Sequence, residues 1–351
     1  VAKKEICLGE KKEIALSYIS QGLKRDTTLQ VCGITKHQFY HKNKSNQKVG
    51  RKASTTTLKH NSTVLNIDVV KEIEQVKTDP DTNYGHRMMT FHLMQQGYYI
   101  NHKKVYRLMK EAGLLASKLR VSINKNYVKY RQVCPDRPLE VLEMDIKMVW
   151  VTEHRRHAYI LTIIDTFTRH VLHWTVGYQM KQNQVKNAWL KVIEDYLQPY
   201  DLLKRDLHIE LRNDNGPQFC AKSVREFLKN NHIQQVFTHP YTPQENGHVE
   251  SFHAILSRSL GKNPFWSLQE LEVRLEQFYY KYNEVRHHVS TAKLAPSVFW
   301  KCWEYGWIER QELGKFKIRF KLKVPYQQLS IRLAEKEDIN SNKLSLKASV
   351  V

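Results

Sequence analysis

LHIELRNDNGPQF, residues 207–219, opens the stretch on which the fold turns, and THPYTPQENGHVESFHAILSRSL, residues 238–260, closes it. Leu207, Ile209 and Leu211 alternate with polar residues, the two-residue period of a half-buried strand. The run breaks at Asn213-Asp214-Asn215-Gly216 and leaves Asp214 at a strand end facing solvent. Asn215 and Gly216 are expected to shape the loop that follows, Gly216 by allowing positive φ. Further on, Pro240 and Pro243 hold a loop extended, Asn246 is placed as a helix cap with Gly247 beside it, and an amphipathic helix carries Glu250 in its first turns. Upstream, LEVLEMDIKMVWV (139–151) sets a third acid, Asp145, inside a strongly β-prone run. A lone Asp at a strand end is more often a turn former. Three acids on rigid elements instead suit a site for two divalent cations, because hard Mg²⁺ or Mn²⁺ prefers carboxylate oxygens.

Between these acids the pattern predicts strands over 157–165 and 170–178, a helix over 183–197, a helix over 221–230 and a short strand over 234–238. Successive strands followed by alternating helices and strands suit an α/β fold with a mixed sheet and helices on its faces. Asp165 also ends a strand, but at a hairpin turn, and takes a structural role.

The 351 residues carry 56 Lys and Arg against 35 Asp and Glu, a net charge of +21, which predicts a polyanionic partner. Residues 1–140 hold 26 basic against 12 acidic residues, so the first part reads as the DNA-gripping part. Cys7, Cys32, Cys134, Cys220 and Cys302 form no CxxC pair, which argues against a disulfide framework or structural zinc and for a reducing cytoplasm. No apolar run approaches the ~18 residues of a membrane span, so no membrane partner is expected.

Two helical modules precede the core. Residues 1–45 read as a helix-turn-helix, with Gly33 at the turn and Thr35 capping KHQFYHK; residues 46–64, rich in Lys, Asn, Ser and Thr, read as a basic linker. Residues 65–118 read as a second helix-turn-helix whose third helix, capped by Asn101, buries Val105, Leu108 and Met109. Lys103, Lys104, Arg107 and Lys110 remain for its other face as candidate DNA contacts. Residues 119–138 form a basic connector, 139–303 the core, and 304–351 a small basic β appendage marked by KFKIRFKLKV. His253 and Arg258, one and two turns after Glu250, are further candidate DNA contacts.

Asp145, Asp214 in NDNGPQF and Glu250 in QENGHVE, with 35 residues between the last two, resemble the DDE triad of the retroviral-integrase superfamily. The flanking pattern is most similar to the second-frame (OrfB) transposases of the bacterial IS-three insertion-sequence family, from about Ile67 to Trp300. YGHRMMTFHLMQQGYYINHKKVYRLMKEAGLLA (84–116) resembles the helix-turn-helix before that family's core, and YNEVRHHVSTAKLAPSVFW (282–300) its core ending, with Arg286-His287-His288 where Arg-Pro-His is usual. The resemblance implies an RNase H-like core with a five-stranded mixed sheet, preceded by all-α modules. It makes Asp145, Asp214 and Glu250 the catalytic ligands of two Mg²⁺ or Mn²⁺ ions, Asp145 bridging them.

The implied activity is binding of an element's terminal inverted repeats, hydrolysis exposing a 3′-OH, and attack of that 3′-OH on another phosphodiester of element or target DNA. A dimer or higher multimer at the nucleoid of a bacterial cytoplasm is implied too, with no small-molecule substrate. Two alternatives stay open: an RNase H-like nuclease that cuts without joining, and a catalytically silent DNA-binding regulator.

Overall fold

Three short helices, α1 (Leu8–Ser20), α2 (Arg25–Val31) and α3 (Lys36–Tyr40), make up what is described of the first of two units, Val1–Ser54. The computed structural model describes residues 7–40, 54–115, 133–204, 207–238, 246–314 and 317–348. Gly33 turns the chain at φ 63°, and Thr35 and Gln38 cap α3 reciprocally: the Gln38 side chain accepts the Thr35 amide at 2.9 Å, and the Thr35 hydroxyl accepts the Gln38 amide at 3.1 Å. Ala15, Leu29 and Ile34 form its small core.

The second unit, Thr55–Val351, opens with an antiparallel hairpin, β1 (Thr56–Lys59) and β2 (Ser62–Leu65), in register Thr56 to Leu65. This corrects the reading of 46–64 as linker throughout: the β-branched Thr56, Thr57, Thr63 and Val64 suit paired strands, and His60 at φ 48° makes the turn. Residues 46–53 of that span, and 119–132 of the connector, lie outside the described residues. Helices α4 (Asn66–Thr78) and α5 (His86–Gln95), the two-residue strand β3 (Tyr98–Tyr99) and α6 (His102–Glu111) complete the module, with β3 pairing with β1. It is therefore helical with a three-stranded ribbon, not all-α. Val69, Ile73, Met89, Leu93, Val105 and Met109 close its core.

The central sheet has the order β6-β5-β4-β7-β8: β4 (Val141–Val151), β5 (Arg156–Asp165) and β6 (Val171–Gly177) are antiparallel, and β7 (Glu210–Asn213) and β8 (Gln234–Phe237) run parallel to β4. Period-two alternation sorts the faces. Leu142, Met144, Leu161 and Ile163 pack on α7 (Gln182–Val192), whose end continues as a π-turn, and on α8 (Pro217–Cys220) and α9 (Lys222–Asn230). Ile160 and Ile164 pack the opposite way, on α10 (Gly247–Leu260) and α11 (Leu268–Glu284), through Val249, Phe252, Leu256, Leu275 and Phe278.

Helix α12 (Pro296–Glu304) leads into a hairpin of β9 (Ile308–Gly314) and β10 (Lys317–Leu322), where KFKIRFKLKV alternates. The appendage does not stay β: α13 (Leu329–Ala348) follows, built on helix formers such as Leu, Ala, Glu and Lys after Pro325. Among the described residues no helix is long and apolar enough to cross a membrane.

Candidate active site

Register places two of the acids. Strand β4 pairs with β7 in parallel as Val141 to Glu210, Leu142 to Leu211 and Glu143 to Arg212. Asp145 lies two residues beyond that paired stretch on β4, and Asp214 directly follows the end of β7. Both line an open cleft of about 470 Å³, together with Tyr159, Tyr178, Lys181 and Gln218. The Asp145 carboxylate accepts the Ile146 amide at 2.8 Å with one oxygen and faces His253 Nδ1 at 3.3 Å with the other. Asp214 accepts the Gly216 amide at 3.0 Å, and Asn215 ties the loop to the end of β8 by donating to the Thr238 carbonyl at 2.9 Å. Gly216 does not adopt positive φ; it sits at −56°. Its lack of a side chain matters for space, because a Cβ there would crowd the Gln218 amide and stand 3.1 Å from Asp214 Oδ1.

Glu250 lies in the first turn of α10 and is exposed. The loop 239–245, with Pro240 and Pro243, lies outside the described residues. Burial raises the Asp214 carboxyl above its ordinary range, and the charge of Asp145 raises it further against the opposing Gly216 amide. Glu250, exposed as a residue but with its carboxyl partly shielded, is raised too, by that partial burial and then Asp145, with His253 opposing. Asp145 is therefore the charge that both other acids feel. Among the described residues no three acidic, His or Cys side chains converge closely enough to hold a metal ion as placed. The donor set itself is the kind that hard divalent cations take, and a cation between these carboxylates would relieve their mutual repulsion.

The residue that sequence reasoning missed is Glu143, two positions before Asp145 and so on the same face of β4. It is fully buried, and its Oε2 accepts the amides of His248 at 2.9 Å and Val249 at 2.7 Å. Asn246 occupies the cap position of α10, but its side chain makes no cap hydrogen bond and its Oδ1 is buried without a partner. Gly247 has open space around it. The cap of the Glu250 helix thus comes from the strand that carries Asp145. The available signal was an acid in the otherwise apolar run VLEM.

The candidate DNA contacts separate. His253 turns inward to Asp145, with a side chain only 12% exposed, and its other ring nitrogen is buried. Arg258 is exposed and donates through Nε to the Ala254 carbonyl of its own helix at 3.1 Å. On α6, Lys103 and Lys110 are exposed, whereas Lys104 is half-buried and donates to the Thr56 carbonyl of β1. Arg107 is half-buried beside Glu111, at 3.8 Å.

A mixed five-stranded sheet flanked by helices, with Asp145 within the central strand β4 and Asp214 just past the adjacent β7, is the architecture of an RNase H-like core. Models of the integrase core domain match residues 135–243 and 231–296, and a model of an HTH-like domain matches 65–121. The InsK transposase of insertion sequence element IS150 from Escherichia coli (strain K12) is 27% identical over 241 residues, covering 65% of this chain and 81% of InsK. The transposase for insertion sequence element IS904 from Lactococcus lactis subsp. lactis (strain IL1403) is 23% identical, covering 66% of this chain and 92% of that protein. The crystal structure of the catalytic core domain of BIV integrase aligns at 20% identity over 48% of this chain and 97% of that one, with a TM-score of 0.35. The chain thus carries an integrase core domain with an HTH-like domain before it, and its relatives are insertion-sequence transposases; it is a DNA transposase with a polynucleotidyl-transferase core, consistent with the IS-three resemblance.

Proposed function

We propose that Asp145, Asp214 and Glu250 are the catalytic acids, that they hold two divalent cations, Mg²⁺ or Mn²⁺, and that the chain cuts the terminal inverted repeats of its own element and joins the freed 3′-OH to another phosphodiester. The observation that carries this reading is that Asp145 and Asp214 line one cleft and that the charge of Asp145 acts on both Asp214 and Glu250, whose helix α10 is capped from β4. Bound cations supply charge relief on the leaving oxygen and an activated nucleophile. The protein's own part is positional. Strand β4 fixes Asp145, the Gly216 amide orients Asp214, and the Glu143 clamp fixes the first turn of α10. His253 is the competitor for Asp145: its imidazole occupies an oxygen that a cation would take, so it has to turn or yield when the ligand set closes. Holding both element ends requires a dimer or higher multimer on double-stranded DNA.

The test is incubation of the full chain with a labelled terminal repeat and Mg²⁺. Nicked and then joined products are expected, and nicking with no joined product under any Mg²⁺ or Mn²⁺ condition would favour a nuclease instead.

On the helical module, Lys103 and Lys110 are the exposed lysines of α6 and are proposed as the phosphate contacts. Replacing both by Ala is expected to weaken DNA binding and to lower the log-log salt slope by about 0.9 for each phosphate no longer neutralised, with the melting temperature kept. Lys104→Ala is expected to do the reverse in part, lowering the melting temperature because β1 loses its tie to α6. Salt titrations of affinity and thermal melts of the variants check this, and an unchanged slope in the double variant would move the DNA contact off α6.

A further inference from the structure

The turn between α4 and α5, Asp79-Pro80-Asp81-Thr82, lies outside the catalytic core in sequence but is built into it in space. Asp81 is only 2% exposed. Its two carboxylate oxygens accept both terminal nitrogens of Arg274 on α11, at 2.8 and 3.1 Å, and the hydroxyl of Ser259 near the end of α10 donates to the same carboxylate. Arg274 also donates to the Ser259 carbonyl at 3.2 Å. The Arg286 guanidinium reaches the Asp81 backbone carbonyl, and Lys281 pairs with Asp79 at 2.7 Å. Burial alone would raise the Asp81 carboxyl; Arg274, Ser259 and Lys281 outweigh it and hold it below its ordinary range.

A forked guanidinium on a carboxylate fixes orientation as well as distance, since two parallel hydrogen bonds allow no rotation. A buried ion pair adds little net stability against an apolar replacement, and its best-attested use is to fix one register among several. Here the two bodies so registered are the helical module and the catalytic helix. On one side, Asp81 leads into α5, which shares a core with α6 through Met89, Leu93, Leu108 and Met109. On the other, Ser259 and Glu250 stand nine residues apart on the unbroken α10, about 13 Å along one rigid helix.

We propose that Asp81 is a positioning residue that sets which phosphodiester is cut, by fixing the distance between the DNA-holding module and Glu250. This rests on the reading that α6 holds the element end and that Glu250 belongs to the catalytic acids. Successive phosphates of one strand rise about 3.4 Å along the duplex axis, so a displacement of the module by that much along the axis moves the reacting phosphate by one nucleotide. The remaining contacts between module and core, among them the Tyr84 hydroxyl donating to the Val285 carbonyl at 3.3 Å and accepting the His287 amide at 3.0 Å, keep the module attached when the carboxylate is gone. Loss of Asp81 therefore loosens register before it loosens attachment.

The experiment maps cut positions at nucleotide resolution on a labelled element end, using the full chain with Mg²⁺, and measures DNA affinity and melting temperature alongside. Asp81→Ala and Arg274→Ala are each expected to bind DNA within about twofold of the unaltered protein while their cuts spread to neighbouring phosphates, with less than half remaining at the original position. Asp81→Asn keeps acceptor and shape, is expected to spread less, and carries the test if the alanine variant does not fold. Glu250→Gln, run in parallel, is expected to cut nowhere; if it cuts normally, the reading beneath the proposal fails rather than the proposal about Asp81. Single-position cutting by folded Asp81 variants, or a loss of cutting that merely tracks lost affinity or melting temperature, overturns the positioning role.

Discussion

Asp145→Asn, Asp214→Asn and Glu250→Gln are each expected to reduce cleavage and joining by about 100-fold or more while DNA affinity is kept. Each change preserves shape and removes one anionic oxygen donor. Loss of even an outer partner of a metal ligand typically costs about 10- to 100-fold, so loss of a ligand belongs at or beyond the upper end. The effect is expected to be largest for Asp145, because its charge is the one that raises both Asp214 and Glu250. Removing it should also lower the pKa of the other two, which a carboxylate titration without metal would read. Strand-transfer assays and binding titrations of the three variants decide the matter, and near-normal joining by any one of them would remove that residue from the site.

Glu143 is expected to give the molecule a pH-dependent stability that Glu143→Gln lacks. Burial raises its carboxyl from 4.5 to about 7, against the opposing pull of the Val249 amide, the Arg169 charge, the His248 amide and the Arg212 charge. The folded state therefore binds this proton more tightly than the unfolded chain does. The resulting stabilisation is fully present below pH 4.5 and is lost as the pH rises through 7. At about 1.36 kcal/mol per pKa unit the loss is on the order of 3 kcal/mol. Glu143→Gln keeps an oxygen for both α10 amides and removes the titration, so the difference between it and the unaltered protein isolates this one group. Denaturant unfolding at about pH 5 and pH 8, on either side of the raised value, measures it, and an identical pH slope in both proteins would refute the assignment. Glu143→Leu goes further: it orphans the buried Val249 amide at about 1–3 kcal/mol, and the half-buried His248 amide with it, and releases the turn that carries Glu250, so stability and joining are expected to fall together.

The elements that set the site were legible because they obey simple periods. Alternation in 207–213 marks β7 and the β-prone run 139–151 marks β4, with Asp214 where the first meets solvent and Asp145 inside the second. What stayed hidden depends on which surfaces meet. His253 shares a helix face with Glu250, so spacing cannot tell a DNA contact from a partner of Asp145; the packing of α10 on β4 decides it. Glu143 looks like one more charge in a strand until the start of α10 is laid over it. Lys104 has the same sequence signature as Lys103, and only the neighbouring β1 takes it out of solvent. That hairpin was itself obscured by its polar composition, and α13 by the β-like run before it.

The buried place of Asp81 also bears on how the molecule can be divided. The segments matched as integrase core begin at residue 135, so a protein cut there would retain Arg274, Ser259 and Lys281 and lose the carboxylates that face them. Its α10–α11 surface would carry a cationic notch in place of a neutral joint. Such a fragment is expected to attract nucleic acid or anions at a spot that the whole chain keeps closed, so DNA affinity measured on it would report a surface that the intact transposase never offers.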